Sequence, residues 1–336
     1  MIEQLMKKLS ELKTEDEFWI LLDGLCRPSE LEMVAQRLVG AERILQGMRY
    51  SDIVRELDVP AFVLKCLQNR LEEDADFRSL IAANSDTREA YRSFAEVYDV
   101  LTQDVAYQKR CDYVELLMQK FLAKKPELVV DLACGTGTVA VELAKRGYDM
   151  TGIDASQEML GVAVRKAKAE QLDILFLNQT MQEFELYGTV DVILCLLDSV
   201  NYLLDKEELE QCLHWVQNYL NPGGLFIFDI NTKYKLETLL PGNVFTDEVE
   251  GAYYTWENAY DKEEKICMFD LNFFVEENGL YKRFEEVHYE KAYTRAEIKS
   301  ALRGAGLKLL GEYDDLTLDA PRRQSEKIFF VAQKPQ

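Results

Sequence analysis

The chain has 336 residues, 48% hydrophobic and 29% charged, with a formal net charge of −21. That composition fits a globular protein long enough for two domains, and it excludes a disordered or collagen-like chain. No apolar run approaches the ~20 residues that span a bilayer, and the negative field repels polyanions, so nucleic acid is a poor default partner.

Residues 1–8 carry no signal-peptide apolar region, so a cytoplasmic protein is expected. Residues 1–85 read as helices only. Thr14-Glu15-Asp16-Glu17 is a capping-box pattern before Phe18, Trp19, Leu21 and Leu22. Pro28-Ser29-Glu30 opens a longer helix, with Leu31, Val34, Ala35, Leu38, Ala41, Ile44 and Leu45 at helical spacing and Gly47 as its stop. A short helix follows over 51–57. Asp58-Val59-Pro60 turns the chain, with Pro60 suited to the first position of a helix reaching about Leu71. Two short helices joined by a tight turn suggest a helix-turn-helix. The segments Leu25-Cys26-Arg27-Pro28-Ser29-Glu30-Leu31, Ala35-Gln36-Arg37-Leu38 and Tyr50-Ser51-Asp52-Ile53 resemble the Trp repressor-like family of small DNA-binding domains. The expected reading helix departs from that family, placing Pro60, Ala61, Phe62, Val63 and Cys66 where base readout needs donors and acceptors. Residues 1–85 also hold 11 Lys/Arg against 16 Asp/Glu, with Lys65 and Arg70 the nearest cations for phosphate. A helical module that self-associates as a homodimer, or packs on the rest of the chain, stands beside DNA binding, and is favoured. Asn84-Ser85-Asp86-Thr87 is the linker expected between domains 1–85 and 86–336.

From about residue 126 short apolar strands alternate with helices. Strands are expected at 128–130, 149–153, 174–177, 190–195 and 225–228. Helices are expected from Thr138 to Arg146 (stopped by Gly147), from the Ser156 cap to about Gln171, and from the Asp205 cap to Leu220. Asn221-Pro222-Gly223-Gly224 reads as a turn. This is the pattern of a parallel α/β sheet covered on both faces. Residues 244–293 break it. They are rich in aromatics, including Phe245, Tyr253, Tyr254, Trp256, Phe269, Phe273, Phe274 and Tyr289, and Asn278-Gly279 is a hairpin signal, so an antiparallel insertion is expected. Most of these aromatics are expected to pack the hairpins, and two or three to line a pocket. Thr294-Arg295-Ala296-Glu297 caps a last helix ended by Gly304 and Gly306, before two final strands.

Seven scattered cysteines without a Cys-x-x-Cys pair, and only two histidines, argue against a disulfide framework or a metal site. The informative segment is Asp131-Leu132-Ala133-Cys134-Gly135-Thr136-Gly137. Gly135-x-Gly137-x-x-Ala140 is a glycine turn between strand and helix, with Asp154 lying 19 residues after Gly135. That spacing alone also fits a dinucleotide site. Asp131 discriminates: a carboxylate there opposes a pyrophosphate and suits a ligand bearing an ammonium and a sulfonium.

This segment resembles motif I of the class I S-adenosylmethionine-dependent methyltransferases, and the resemblance extends over about residues 90–334. It implies a Rossmann-like seven-stranded sheet with an antiparallel β insertion roofing the active site, here joined to a small all-α amino-terminal domain. It implies S-adenosylmethionine as cofactor and direct methyl transfer to a small molecule. By resemblance, Asp131, Ala133, Gly135 and Gly137 surround the methionine moiety, and Asp154 with Ala155 meets the ribose. Met159, Thr180 and Met181 approach the adenine, with Thr180 where the family usually has an Asp. Leu196 lies beside the cofactor, and Tyr98, in the family's tyrosine-bearing lead-in helix, closes over it. Displacement at the sulfonium methyl needs alignment and exclusion of water, and a base only where the nucleophile arrives protonated. His288 is a candidate, with Asp198 and Tyr98 behind it, and Asn201 faces the same end of the sheet. His214 is taken as a surface residue. Two other readings remain: a regulator that senses S-adenosylmethionine and binds DNA through the amino-terminal helices, and a dinucleotide oxidoreductase, which Asp131 opposes.

Overall fold

The computed structural model describes residues 21, 24–25, 27–45, 48, 50–57, 59–74, 77–78, 81, 95, 98–99, 102, 105–249, 252–277 and 280–336. The chain divides into two compact units, Met1–Arg88 and Glu89–Gln336. The expected cap at 14–17, the Gly47 stop, the 84–87 linker and the Asn278-Gly279 turn lie outside the described residues.

In the first unit α1 (Pro28–Leu45), α2 (Tyr50–Leu57) and α3 (Ala61–Glu73) follow one another. Ala41, Ile53, Val59, Leu64 and Leu71 are buried, one each from α1, α2 and the turn before α3, and two from α3 that lie seven residues apart on one helical face. Gly40 brings α1 against α3, because a Cβ there would sit 3.0 Å from Leu64. Pro60 is the N-cap of α3, at φ −55° and ψ 135°, one position earlier than expected. Its extended ψ makes it the last residue before the helix rather than the first within it. Arg70 pairs with Asp74 at 2.9 Å.

The second unit is built on a seven-stranded sheet of order β10-β11-β5-β4-β1-β2-β3. Its strands are β1 (Leu128–Leu132), β2 (Asp149–Asp154), β3 (Leu175–Asn178), β4 (Val190–Cys195), β5 (Leu220–Asn231), β10 (Lys308–Asp314) and β11 (Lys327–Gln333). The strands from β3 to β5 are parallel. β11 enters antiparallel between β5 and β10. Successive residues bury on opposite faces. Val130, Leu132, Phe226, Phe228 and Phe330 join one core, and Val129, Leu225, Ile227, Phe329 and Val331 the other. Helices α4 (Tyr107–Phe121) and α5 (Thr138–Lys145) cover the second face. Helices α7 (Lys206–Tyr219) and α8 (Arg295–Gly304) cover the first, while α6 (Gln157–Ala169) links β2 to β3.

The expected turn at Asn221–Gly224 is a bulge within a strand rather than a link between elements. These residues lie inside β5, opposite a register shift between Val190 and Val192 of β4. The chain there is held by Gly223 N–H to Lys334 O (2.8 Å) and Lys334 N–H to Gly224 O (3.0 Å). A Cβ on Gly224 would lie 2.9 Å from both Asn221 O and Asp191 O, and Gly223 has φ 83°, so a tight bend and close backbone packing together account for the glycine pair.

A second sheet of order β6-β7-β8-β9 forms the insertion: β6 (Val244–Val249), β7 (Ala252–Asp261), β8 (Ile266–Glu277) and β9 (Leu280–Lys291). Its aromatics pair with one another: Trp256 with Phe245 and Phe269, Tyr254 with Phe273, Tyr253 with Phe274. Such cross-strand pairs stabilise the ribbon, which buries both faces along Ile266–Asp270 of β8.

Candidate active site

The site lies at the carboxyl ends of β1, β2, β4 and β5, where open α/β sheets bind ligands. After β1 the backbone turns through left-handed conformations at Ala133 (φ 60°), Gly135 (φ 54°) and Gly137 (φ 71°), and Gly137 caps α5. The two glycines serve different ends. A Cβ on Gly137 would lie 2.7 Å from the Ala163 Cβ, so its bareness lets α6 close in, whereas a Cβ on Gly135 would project into open space. The loop therefore leaves a backbone-walled hollow at Gly135.

Asp131, next to last in β1, is buried, and its Oδ2 has no hydrogen-bond partner among the described residues. Burial, with the charge of Asp154 added, pushes its carboxyl up to about 7, against the pull of the Ala140 amide. A carboxylate that is buried and unsatisfied is costly unless a cationic group meets it. Asp154 ends β2 and already orders the loop. Its Oδ2 accepts Gly135 N–H at 2.7 Å and its Oδ1 accepts Ser156 N–H at 2.8 Å. Each oxygen keeps a second lone pair for an incoming hydroxyl. Burial raises this carboxyl too, opposed by the Ser156, Gly135 and Ala155 amides.

Around these acids the other expected residues sort by position. Ala155 is exposed, and its carbonyl accepts Asn178 Nδ2 at 2.8 Å. Met159 is half-buried on the first turn of α6, its N–H on the Ser156 Oγ at 3.2 Å. Thr180 is exposed and its Oγ1 accepts Glu183 N–H at 3.1 Å. Met181 packs on the core, its sulfur 3.7 Å from the Cys195 Sγ. Leu196 is buried, and its carbonyl accepts the Ser199 hydroxyl at 2.8 Å.

Tyr98 lies among Tyr107, Asp198, Asp99 and Asp154, and burial followed by these negative neighbours holds its phenol protonated. Asp99, which the sequence reading passed over, fastens this segment to the loop. Its Oδ1 accepts the Thr136 hydroxyl at 2.6 Å, and Lys166 Nζ meets its Oδ2 at 2.7 Å while also reaching Thr138 Oγ1 at 2.6 Å.

On the other side, Leu197 and Asp198 both have positive φ (59° and 57°). Buried Asp229 imposes that bend by accepting Leu197 N–H (2.8 Å) and Asp198 N–H (3.2 Å). Lys327 Nζ bridges Asp229, at 3.0 Å, and Asp198. Burial alone would raise Asp198, but Lys327 and Lys235 outweigh it and hold the carboxylate below its ordinary range. Asn231 Nδ2 then donates to Asp198 Oδ2 (2.9 Å) and to Glu290 Oε2 (2.7 Å). Burial and the Asp198 charge push Glu290 well above the usual carboxylate range, opposed by that Asn231 bond. Asn201, fully buried, donates to Asn231 O and Lys291 O and accepts Asn231 N–H. His288 stands edge-on to Tyr202, ring centroids 5.8 Å apart. Burial, with the charges of Glu290 and Asp198 next, pushes the Tyr202 phenol well above its ordinary range. His214 is exposed and belongs to none of this. Among the described residues, no group of three or more His, Cys, Asp or Glu is arranged to hold a metal ion.

A doubly wound sheet with a left-handed glycine turn after its first strand, and acids ending its first two strands, defines a protein that binds a nucleoside-containing cofactor. The comparisons name the class more narrowly. Residues 129–224 match the family described as "Methyltransferase domain". The chain is 35% identical over 247 residues to the putative methyltransferase YqeM of Bacillus subtilis (strain 168), covering 73% of this chain and 97% of that protein. The crystal structure of an S-adenosylmethionine-dependent methyltransferase from Clostridium acetobutylicum superposes with a TM-score of 0.67 at 32% identity, covering 73% of this chain and 99% of that one. At 26% identity, 64% of this chain matches 90% of the dTDP-3-amino-3,4,6-trideoxy-alpha-D-glucopyranose N,N-dimethyltransferase of Streptomyces venezuelae. The chain belongs to the S-adenosylmethionine-dependent methyltransferases; it is an enzyme, and S-adenosylmethionine is its cofactor.

Proposed function

We propose that the enzyme transfers the methyl group to an amine of a small molecule held under the antiparallel roof. The observation that carries the cofactor placement is Asp131, a buried carboxylate with an unsatisfied oxygen in the strand that leads into the glycine loop. Asp131 with Ala133, Gly135 and Gly137 holds the methionine end, its carboxylate taking the cofactor's ammonium. Asp154 beside Ala155 accepts the ribose hydroxyls, and Met159, Thr180, Met181 and Leu196 border the adenine. The Thr180 hydroxyl, already an acceptor for Glu183, keeps its proton to donate to a ring nitrogen.

Bound S-adenosylmethionine supplies an electrophilic methyl on sulfur. The chain's work is to align the acceptor with it and keep water out. We place the acceptor beside Tyr98, whose phenol has Asp198, Asp99 and Asp154 as charged neighbours, and beside Tyr202, which packs edge-on to His288. Aromatic faces with ionised acids nearby favour a cationic amine over an anionic nucleophile. The named amino-sugar N,N-dimethyltransferase supports the same nucleophile. An ammonium must lose a proton before it attacks. His288 receives it, because Asp198 is committed to Lys327 and is too weak a base. Asp198 thus positions the loop, and Tyr98 packs over the cofactor.

Calorimetry with S-adenosylmethionine against NAD tests the cofactor roles. Asp154→Ala is expected to weaken S-adenosylmethionine binding by about ten- to a hundredfold, the value of hydrogen bonds to a charged group; normal binding by that variant overturns the assignment. A metabolite screen that follows S-adenosylhomocysteine release tests the acceptor. Turnover of hydroxyl or carboxyl compounds with none of amines overturns the amine reading.

For the amino-terminal helices we propose self-association rather than DNA reading. Val34 and Leu38, four residues apart on α1, are exposed at 62% and 49%, while Arg70 is engaged by Asp74. Steep salt dependence with sequence preference in a DNA titration would favour the regulator reading instead.

A further inference from the structure

The loop before β11 carries two adjacent arginines that the cofactor and amine roles leave unused. Arg322, Arg323, Tyr234 and Gln324 line a cavity of about 670 Å³. In a chain of net charge −21, two adjacent arginines beside a tyrosine and a glutamine are a local departure from the surrounding field, and among the described lining residues no carboxylate stands with them, Asp314 meeting Arg322 from outside that set. Two guanidinium groups bring ten N–H donors between them. That is more than one carboxylate can use, and it suits the several oxygens of a phosphoryl or diphosphoryl group.

The wall is also pre-set. Arg322 Nε donates to Asp314 Oδ2 at 2.9 Å, which fixes the guanidinium plane. Arg322 N–H donates to Ser325 Oγ (2.8 Å) and Ser325 N–H to Arg322 O (3.3 Å), closing a turn around buried Ser325. Thr232 ties that turn to the end of β5: its N–H donates to Glu326 O (2.9 Å) and its hydroxyl to Ser325 O (2.7 Å). Thr232 directly follows Asn231, the residue that bonds Asp198 and Glu290, so the arginines stand on the acceptor's side of the sheet end. Of the neighbouring charges, Lys233 pairs with Glu237 at 3.6 Å and Lys235 donates to Asn231. Arg323 makes no ion pair or hydrogen bond among the described residues. It is the cation left over for a ligand.

We infer that Arg322, Arg323, Tyr234 and Gln324 form an oxyanion subsite that holds a phosphoryl group of the methyl acceptor. This rests on the methyltransferase reading of the neighbouring site and adds to it the acceptor's anionic end. The acceptor is then a phosphorylated amine, its cationic and anionic ends met by opposite walls.

The test begins with sodium diphosphate titrated into the full chain by calorimetry at constant ionic strength, which removes general screening. The wild type is expected to bind it, and Arg323→Gln to bind it about tenfold or more weakly, as for loss of a charge-assisted hydrogen bond. Arg323 has no internal partner to strand, so this variant folds as the parent does. Lys168→Gln, an exposed lysine elsewhere, is the control and is expected to change nothing. No diphosphate binding, or an equal loss in the control, overturns the subsite. A second arm separates a bound effector from the acceptor's own group. S-adenosylhomocysteine release is screened over pairs of amines with and without a phosphate; preference for the phosphorylated member, reduced in Arg323→Gln, is expected. Equal turnover of both members overturns the proposal. S-adenosylmethionine titrated into the same samples reads the cofactor site separately. Its failure there would sink the assignment around Asp131 without touching the diphosphate result.

Discussion

At the scale of single residues, Asp131 and Asp154 show how the same side chain does different work. Asp154 is surrounded by amides that order the loop, and it is ready to accept hydroxyls. Asp131 is buried with one oxygen unpaired and its carboxyl pushed up to about 7. The sign of its pH dependence follows. In the ligand-free fold Asp131 holds its proton more tightly than in the unfolded chain, so ionising it opposes folding above about 7, and that penalty disappears as the pH falls toward 4. Binding a cationic ligand runs the other way, because the carboxylate must be charged. S-adenosylmethionine affinity is therefore expected to fall by up to about tenfold per pH unit below about 7. Asp131→Asn is expected to bind about ten- to a hundredfold more weakly at pH 8 and to lose that dependence. A calorimetric series from pH 5.5 to pH 8.5 checks both; a wild-type affinity flat across that range sinks the assigned role. Asp131 was legible in sequence because a carboxylate four residues before a glycine turn is chemically odd. The partners of Asp198 were not: Lys327 is 129 residues away along the chain, and nothing local marks it.

At the scale of elements, what was legible was what is local. The strands from β1 to β4, the helices between them and the caps at Ser156, Asp205 and Thr294 all follow from hydrophobic period and from side chains that bond their own backbone. The start of β5 was placed at Leu225 because Pro222, Gly223 and Gly224 mark a bend; they do bend the chain, but as a bulge beside Asp191 in a strand that begins at Leu220. The aromatic insertion was legible as a ribbon, but not its attachment to the main sheet. Asn201 makes that attachment, joining the end of β5 to Lys291 at the end of β9 through three hydrogen bonds of 2.9–3.1 Å. Asn201→Ala strands the Asn231 amide and two carbonyls in a buried place. It is expected to cost about 2–4 kcal/mol of stability, read as a melting temperature lower by about 5–10 °C. Asn201→Asp keeps the acceptor for Asn231 N–H, but its carboxylate then faces two carbonyls, so no rescue is expected. Melting curves of the two variants decide it, and an alanine variant as stable as the parent means the tie carries no load. A different latch holds the lead-in segment. Asp99→Ala removes the acceptor for Thr136 and the partner of Lys166. It is expected to weaken S-adenosylmethionine binding by about three- to tenfold while leaving the melting temperature within about 2 °C, since an exposed or half-exposed ion pair contributes little to stability. A large thermal loss with unchanged affinity would make Asp99 a folding residue instead.

At the scale of the whole molecule, the division at Arg88 and Glu89 sets what each unit must supply. Every residue assigned to cofactor or acceptor lies in 89–336, and so do both cores that sandwich the seven-stranded sheet. The Bacillus subtilis relative is nearly complete in 247 aligned residues, the size of that unit alone. The first unit has a core of its own in Ala41, Ile53, Val59, Leu64 and Leu71, so neither unit needs the other to bury its apolar stripes. A chain cut to 89–336 is therefore expected to fold and to bind S-adenosylmethionine within about threefold of the full chain, as sites in independent units contribute additively. Self-association is the property expected to leave with residues 1–88, because the exposed Val34 and Leu38 go with them. Sedimentation of both chains, with calorimetry on the same samples, reads the two properties apart. If the shortened chain keeps the parent's oligomeric state, the helices are not the interface. If it loses the cofactor affinity instead, the first unit completes the site, and the net acidity it shares with the second would have to be explained as part of the catalytic surface rather than as a solvating face.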